Sequence, residues 1–357
     1  MAVNVENPAL EAGRRVLPIT GSLDEVNAYF YERGWTDGLP IVPPTRERVE
    51  GLLTGWPGDP DAEIAEVPPL MGVATARAVA VNAVMAGCLP EYLPVVVAAL
   101  SAVTKPRYGL SHRQTTTHPA TALIIVNGPI AKRLRINAGS GLFGPGWRAN
   151  ATIGRALRLC LINLGGAVPG EVDRAQHAHP GKYTYCIAEN EDANPWEPYH
   201  VERGFAPEES TVTLTCGEAP HCITDNYNTG PRALLFGYAD SMATLGGNNL
   251  SSQGEPVLVM APEHAACIAR AGWSKADVKR YLFEKARKPW KHVGVRGKSK
   301  GPTFPVWVDR TDPEASVPIL THADALILIT GGGEGQKSMW IPTLGAQTLS
   351  VIEKIRE

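Results

Sequence analysis

The sequence predicts an α/β fold, a mostly parallel sheet of βα units behind an N-terminal helical region. Three observations predict it. Apolar runs of strand length recur at Thr121–Asn127, Tyr183–Ala188, Thr211–Thr215, Pro256–Met260 and Ala325–Thr330, with helical periodicity between several of them. Two strand-turn-helix starts look alike, ALIIVNGPIAKRLRI and PVLVMAPEHAACIARA, and ALILITGGGEG begins the same way. That likeness points to an internal duplication with halves 111–250 and 251–357. Before residue 110 the pattern is helical.

Each element follows from local chemistry. Ser22-Leu-Asp-Glu25 is a capping box, in which the Ser22 hydroxyl and the Glu25 carboxylate accept from each other's backbone N–H. Val26, Tyr29 and Phe30 then form one apolar face, and Gly34 stops the helix. The prolines of Thr36–Pro44 force an extended segment. Thr45 caps a second helix that turns Val49, Leu52 and Leu53 inward. A helical hairpin follows, Thr75 to Ala86 and Tyr92 to Val103, broken at Gly87. Its second arm is apolar on every side, as a buried helix must be. A further helix pair starts after Pro262. Gly272 ends its first member and Ser274-Lys-Ala-Asp277 caps the second, whose face is Val278, Tyr281, Leu282, Lys285 and Ala286.

The totals bound the function. A chain of 357 residues suggests two domains or one large one, read here as a helical region 1–110 and an α/β catalytic region 111–357. With 44% hydrophobic and 20% charged residues it is a folding composition, and a net charge of −2 argues against a nucleic-acid partner. No continuous apolar run opens the chain, and the longest, Leu93 to Val103, is too short to cross a bilayer. A cytoplasmic protein with no membrane partner is therefore expected. The six cysteines are scattered, which fits thiols rather than a disulfide scaffold.

The densest chemical signal is the glycine-rich run from Asn137 to Arg155, leading into a helix. Free backbone N–H groups at such a helix start favour an anion. Arg148 and Arg155, with Asn137 and Ser140, are the expected substrate-binding residues. The spacing fits neither the dinucleotide-binding fingerprint nor the P-loop. Beyond it, Cys186 is a candidate nucleophile, with Lys182, Glu189 and His200 to move protons. The alternation expected of a strand puts Thr184 and Cys186 on one face, opposite Tyr183, Tyr185 and Ile187. Six of nine histidines fall between His112 and His221. His118, His177 and His179 could hold a divalent metal, zinc or iron, with Asp173 or Glu189 completing the set, and a metal-bound water is the alternative nucleophile. His118, His179, Cys186 and His200 are expected to meet in one pocket.

Charge is segregated. Arg270–Lys300 holds eleven Lys/Arg and two acids, whereas Cys186–Glu218 holds eight acids and one Arg. The two blocks could face each other, and Arg296–Pro302 reads as a loop able to close over an anionic substrate.

The segments TDGLPIVPP, GPGWRANATIGRALRL, HPGKYTYCIAENE and PWEPYHVERGF together resemble a bacterial protein family of no settled activity. Its members occur near small redox proteins, some of them selenoproteins, that carry a UGSC or CGSC motif. This chain lacks the motif; the nearest contexts are Ala86-Gly-Cys88 and Thr215-Cys-Gly217. The resemblance implies a small redox protein as partner and leans toward sulfur chemistry, and it transfers no catalytic residue.

The expectation is an enzyme of hydrolase or lyase type that acts on a small anionic metabolite and assembles as a homo-oligomer. One alternative is a thiol redox protein using Cys216 and Cys222, which a turn at Gly217 and Pro220 would bring together. Another is a non-enzymatic binding or assembly subunit with the charged blocks as its interface.

Overall fold

The central strands are apolar on both faces because each lies between a layer of helices and a second sheet. The computed structural model describes residues 2–9, 16–293, 307–345 and 349–356. Its two main sheets use strands β1 (Thr121–Asn127), β2 (Cys186–Ala188), β3 (Thr211–Gly217), β4 (His221–Thr224), β5 (Val257–Met260), β6 (Ile327–Thr330), β7 (Lys337–Ile341) and β8 (Val351–Lys354). The first sheet has the order β2-β1-β3-β8 and the second β6-β5-β7-β4. In each, one edge pair is parallel (Ile124 opposite Cys186, Val257 opposite Ile327) and the other pairings are antiparallel.

The two sheets therefore share one connection pattern and exchange their last strands. β4, which follows β3, joins the second sheet, and β8, which follows β7, joins the first. Only Glu218, Ala219 and Pro220 separate β3 from β4. That crossing is tight: a Cβ on Gly217 would lie 2.9 Å from the Ile341 side chain.

Alternation along the strands sorts the side chains into layers. Leu123 and Ile125 join Tyr185, Ile187, Val257, Val259, Ile327, Ile329 and Ile341 in the core between the sheets. Ile124 and Val126 face the other way, toward helices α1 (Ala76–Ala86), α2 (Leu93–Thr104) and α3 (Arg148–Asn163). Leu258, Met260 and Leu328 face helices α4 (Pro231–Met242), α5 (Pro262–Arg270) and α6 (Lys275–Lys285). The order is helices, sheet, sheet, helices. Burying one such Leu, Ile or Val contributes about 1.5–3 kcal/mol, and between the two sheets the strand runs supply most of the core. The N-terminal helices belong to the same core as the first sheet, together with Val351 and Ile355 near the C-terminus.

The region before residue 110 is not wholly helical, since Ala2–Glu6 pairs with Val16–Thr20 and Glu63–Val67 with Gly72–Thr75, but its helix signals are met. Both capping boxes form, at Ser22/Glu25 and Ser274/Asp277. Thr45 and Thr75 cap their helices, and Gly87 ends α1 in the left-handed region. The sheets, however, are mixed rather than mostly parallel. β4, β7 and β8 have no long apolar run, and all three enter antiparallel. The expected strand Tyr183–Ala188 is also shorter, because Pro180–Lys182 forms a 3-10 turn ahead of it.

The segregated charges meet inside the chain. Lys275 and Lys279 both pair with Glu202, and Lys275 Nζ also donates to the Glu197 carbonyl at 3.1 Å. The loop Arg296–Pro302 lies outside the described residues. Among the described residues, no helix is long and apolar enough to cross a membrane.

Candidate functional site

α3 lies directly against the segment that leads into β2. Gly154 permits this, since a Cβ there would come 2.7 Å from the Tyr185 backbone nitrogen. The chain reaches this contact through a compact turn. Ala178 takes a left-handed φ of 56°, and His179 Nδ1 accepts from the Gly181 N–H at 3.1 Å. A non-glycine residue in that region costs on the order of 1 kcal/mol, a strain often found at functional sites. The turn aims Lys182 back toward α3.

Between α3 and this turn is a cavity of about 450 Å³, lined by Asp37, Arg158, Asp173, His177, His179 and Lys182 among others. That is within the usual range for small-molecule sites, roughly 300–1,000 Å³. Three charges make up one wall. Lys182 Nζ donates to both Asp173 oxygens at 2.7 Å, and Arg158 Nη2 donates to Oδ2 at 2.9 Å. The Lys182, Arg158 and Asp173 side chains are only 12%, 9% and 5% exposed. Burial by itself would raise the Asp173 carboxyl, but Lys182 and Arg158 outweigh it and hold it below the ordinary range. Burial lowers the Lys182 ammonium, against the opposing pull of Asp173.

His179 is neutral here. Its Nδ1 accepts from Gly181 while Nε2 faces the Gly217 carbonyl at 3.3 Å, so the proton sits on Nε2. Burial lowers its pKa, which favours the same state. Both ring nitrogens are engaged, which makes His179 a positioning group. A second cavity, about 410 Å³, lies on its other side and includes His179, Pro180, Tyr185 and Cys186 in its lining.

The expected site residues divide. Lys182, His177 and His179 line the first cavity, and His179 and Cys186 line the second. Burial pushes the Cys186 thiol far up, the opposite of what a thiolate nucleophile needs. Glu189 is a buried hub at the ends of β1 and β2. It accepts from Asn127 Nδ2 at 2.6 Å, Asn194 Nδ2 at 2.8 Å and the Tyr199 N–H at 2.8 Å, and burial raises its pKa. His200 is fully buried, with Nδ1 3.7 Å from Glu191. Neither Glu189 nor His200 lines the two cavities.

The glycine-rich loop spends its polar groups on itself. The Asn137 amide donates to the Ser140 carbonyl, and Asn150 bonds the Asn137 backbone and the Cys186 carbonyl. Arg155 grips Asp37 through two bonds of 2.7 and 2.8 Å and also reaches the Pro40 carbonyl at 2.9 Å. Arg148 donates to the Gly87 carbonyl. Arg155 thus fastens α3 to the extended N-terminal segment, and Arg148 fastens it to the end of α1.

The donor set expected for zinc or iron is not assembled. His118 pairs with Glu218 at 3.1 Å, beside the carbonyl that His179 faces, and His177 is exposed. Among the described residues no three His, Cys, Asp or Glu side chains converge as ligands. Cys216 is buried on β3 of the first sheet and Cys222 is exposed on β4 of the second, and both are free thiols.

Sequence reasoning missed Arg158 as a site residue and cast Asp173 only as a metal ligand. Arg158 did leave a signal: it interrupts the apolar run Ala156 to Ile162. An arginine there needs a buried counter-charge. Compared with known protein families, with curated proteins and with solved structures, the chain matches none.

Proposed function

We propose that the protein is an enzyme acting on a small anionic metabolite, of lyase or hydrolase type, in which Lys182 rather than Cys186 handles the proton. The observation that carries this reading is the shared carboxylate: Lys182 and Arg158 both bond Asp173 on the wall of one cavity. Two cations against one carboxylate leave positive charge for an anionic ligand. Asp37, the other carboxylate on that wall, is already matched by Arg155. A charge-assisted hydrogen bond to a bound anion contributes about 1.5–3 kcal/mol.

Lys182 uses two of its three N–H bonds on Asp173, which leaves one for a ligand. Because burial favours the neutral amine, Lys182 can exchange a proton nearer neutrality than an ordinary lysine. Lyase chemistry would use the deprotonated amine, its two N–H bonds on Asp173 and its lone pair free, to take a proton beside a carboxylate or carbonyl; hydrolysis would use the same lone pair to take one from water. Both begin with the same group in the same place.

The test is a panel of small carboxylates incubated with the protein in D₂O and followed by proton NMR. Wild type is expected to convert at least one compound or to wash out its C–H signal, and Lys182→Met is expected to do neither. If no carboxylate raises the melting temperature and none reacts, the reading fails.

A further inference from the structure

We infer that the substrate carries an apolar tail beside its anionic group, and that the tail occupies the second cavity. This rests on the anionic reading of the first. His179 and Pro180 belong to the walls of both cavities, so the two compartments adjoin along one turn of chain. α3 runs past both, with Asn150 and Ala151 at the second and Arg158 and Ile162 at the first.

Their chemistry differs. The first carries the Arg158–Asp173–Lys182 cluster, whereas the second is faced by Leu142, Phe143, Pro145, Ala151 and Tyr185. The polar groups of the second are already committed. Thr184 Oγ1 donates to the Asn150 carbonyl at 2.9 Å and the Tyr185 hydroxyl to the Glu218 carbonyl at 2.9 Å. The Phe143 and Tyr185 rings are 5.9 Å apart, which fixes an aromatic wall. A cavity of roughly 150 Å³ already accepts benzene, so one of about 410 Å³ has room for a ring with a short linker. The His179 ring, hydrogen-bonded at both nitrogens and edge-on to Tyr185 at 5.5 Å, stands beside the passage between the two compartments. The ligand class is thus an aryl- or alkyl-substituted small carboxylate, with its charge at Lys182 and its tail at Phe143.

The experiment compares propanoate, hexanoate and 3-phenylpropanoate by calorimetry and thermal shift on the full chain. Wild type should bind the phenyl compound about tenfold or more tightly than propanoate, from the apolar surface it buries. Ala151→Phe and Ala219→Phe each place a ring in the second cavity from an exposed position, and melting curves check that each variant is folded. Each should bring that ratio toward one. Equal affinity of wild type for all three acids overturns the tail compartment and leaves the anionic site standing. A tail preference untouched by both variants overturns it as well, because the tail then lies elsewhere. If none of the acids binds, the anionic reading falls and this inference falls with it.

Discussion

Lys182 and Asp173 meet through two hydrogen bonds of 2.7 Å, one to each carboxylate oxygen, while Arg158 shares the same carboxylate from α3. Removing the shared anion tests how much this arrangement holds. Asp173→Asn leaves two buried cations unmatched and should destabilise the protein by about 3–5 kcal/mol, read as a lower denaturant midpoint at neutral pH. The wild-type contribution has a definite pH window. The Asp173 pKa is lowered in the folded state, so its contribution is present above the unfolded value near 3.9 and is lost as pH falls through the folded value. Below that, wild type and Asp173→Asn should converge.

Lys182 is the residue on which catalysis should depend. Lys182→Met is expected to lower turnover by about 10²–10⁴-fold, with far-UV circular dichroism unchanged. Lys182→Arg keeps the charge but cannot give up its proton, so it should retain anion binding and lose turnover. If both variants turn over normally, another group moves the proton.

The pH profile of kcat/KM should rise with an apparent pKa below the ordinary lysine value of about 10.4, because burial lowers Lys182. Asp173 works against that lowering. Asp173→Asn should therefore shift the ascending limb further toward acid, and a shift toward alkali would contradict the assignment.

Arg155→Ala should act on the fold first. Asp37 is 4% exposed and would lose its bidentate partner, at a cost on the order of 3 kcal/mol. Arg148→Ala, which removes bonds to one carbonyl, should cost less than about 1.5 kcal/mol. Paired melting curves separate the two. An Arg155→Ala protein of wild-type stability would return that side chain to the list of anion ligands.

In the second helical layer the Tyr238 hydroxyl lies 2.6 Å from His264 Nδ1, and Ser338 Oγ accepts from the Ala261 N–H at 2.8 Å. His264 Nε2 faces the Asp225 carbonyl, so the histidine proton is on Nε2 and Tyr238 donates to Nδ1. Tyr238→Phe removes that donor and leaves the Ser338 hydroxyl, 3.2 Å from Nδ1, to take its place, so it should cost about 1 kcal/mol. Since the network is remote from Lys182 in the fold, carboxylate affinity should not change.

Features set within a few residues were legible from the sequence, because their physics is local. The capping boxes at Ser22 and Ser274 and the end of α1 at Gly87 each depend on neighbours within one helical turn. The run Thr121–Asn127 declares itself as a buried strand with the bounds read for it. Strand pairing is not local. His221–Thr224 and Lys337–Ile341 are too short to declare themselves as strands and take that form because they pair with each other across more than a hundred residues. The exchange of β4 and β8 between sheets depends on such pairings, and no period in the sequence encodes them.

The site divides in the same way. Lys182, His177 and His179 could be named from composition, since a cluster of titratable side chains beside proline and glycine marks a shaped turn. Their partners could not. Arg158 and Asp173 stand 15 positions apart, on a helix and on the loop beyond it, and only packing α3 against the 177–186 segment puts one carboxylate between two cations. The same packing buried Cys186, and the packing of Asp37–Pro40 against α3 took Arg155, two fates that depend on where water can reach. Side-chain identity is written in the chain, whereas solvent exclusion is a property of the assembled layers, and solvent exclusion is what separates a nucleophile from a core thiol.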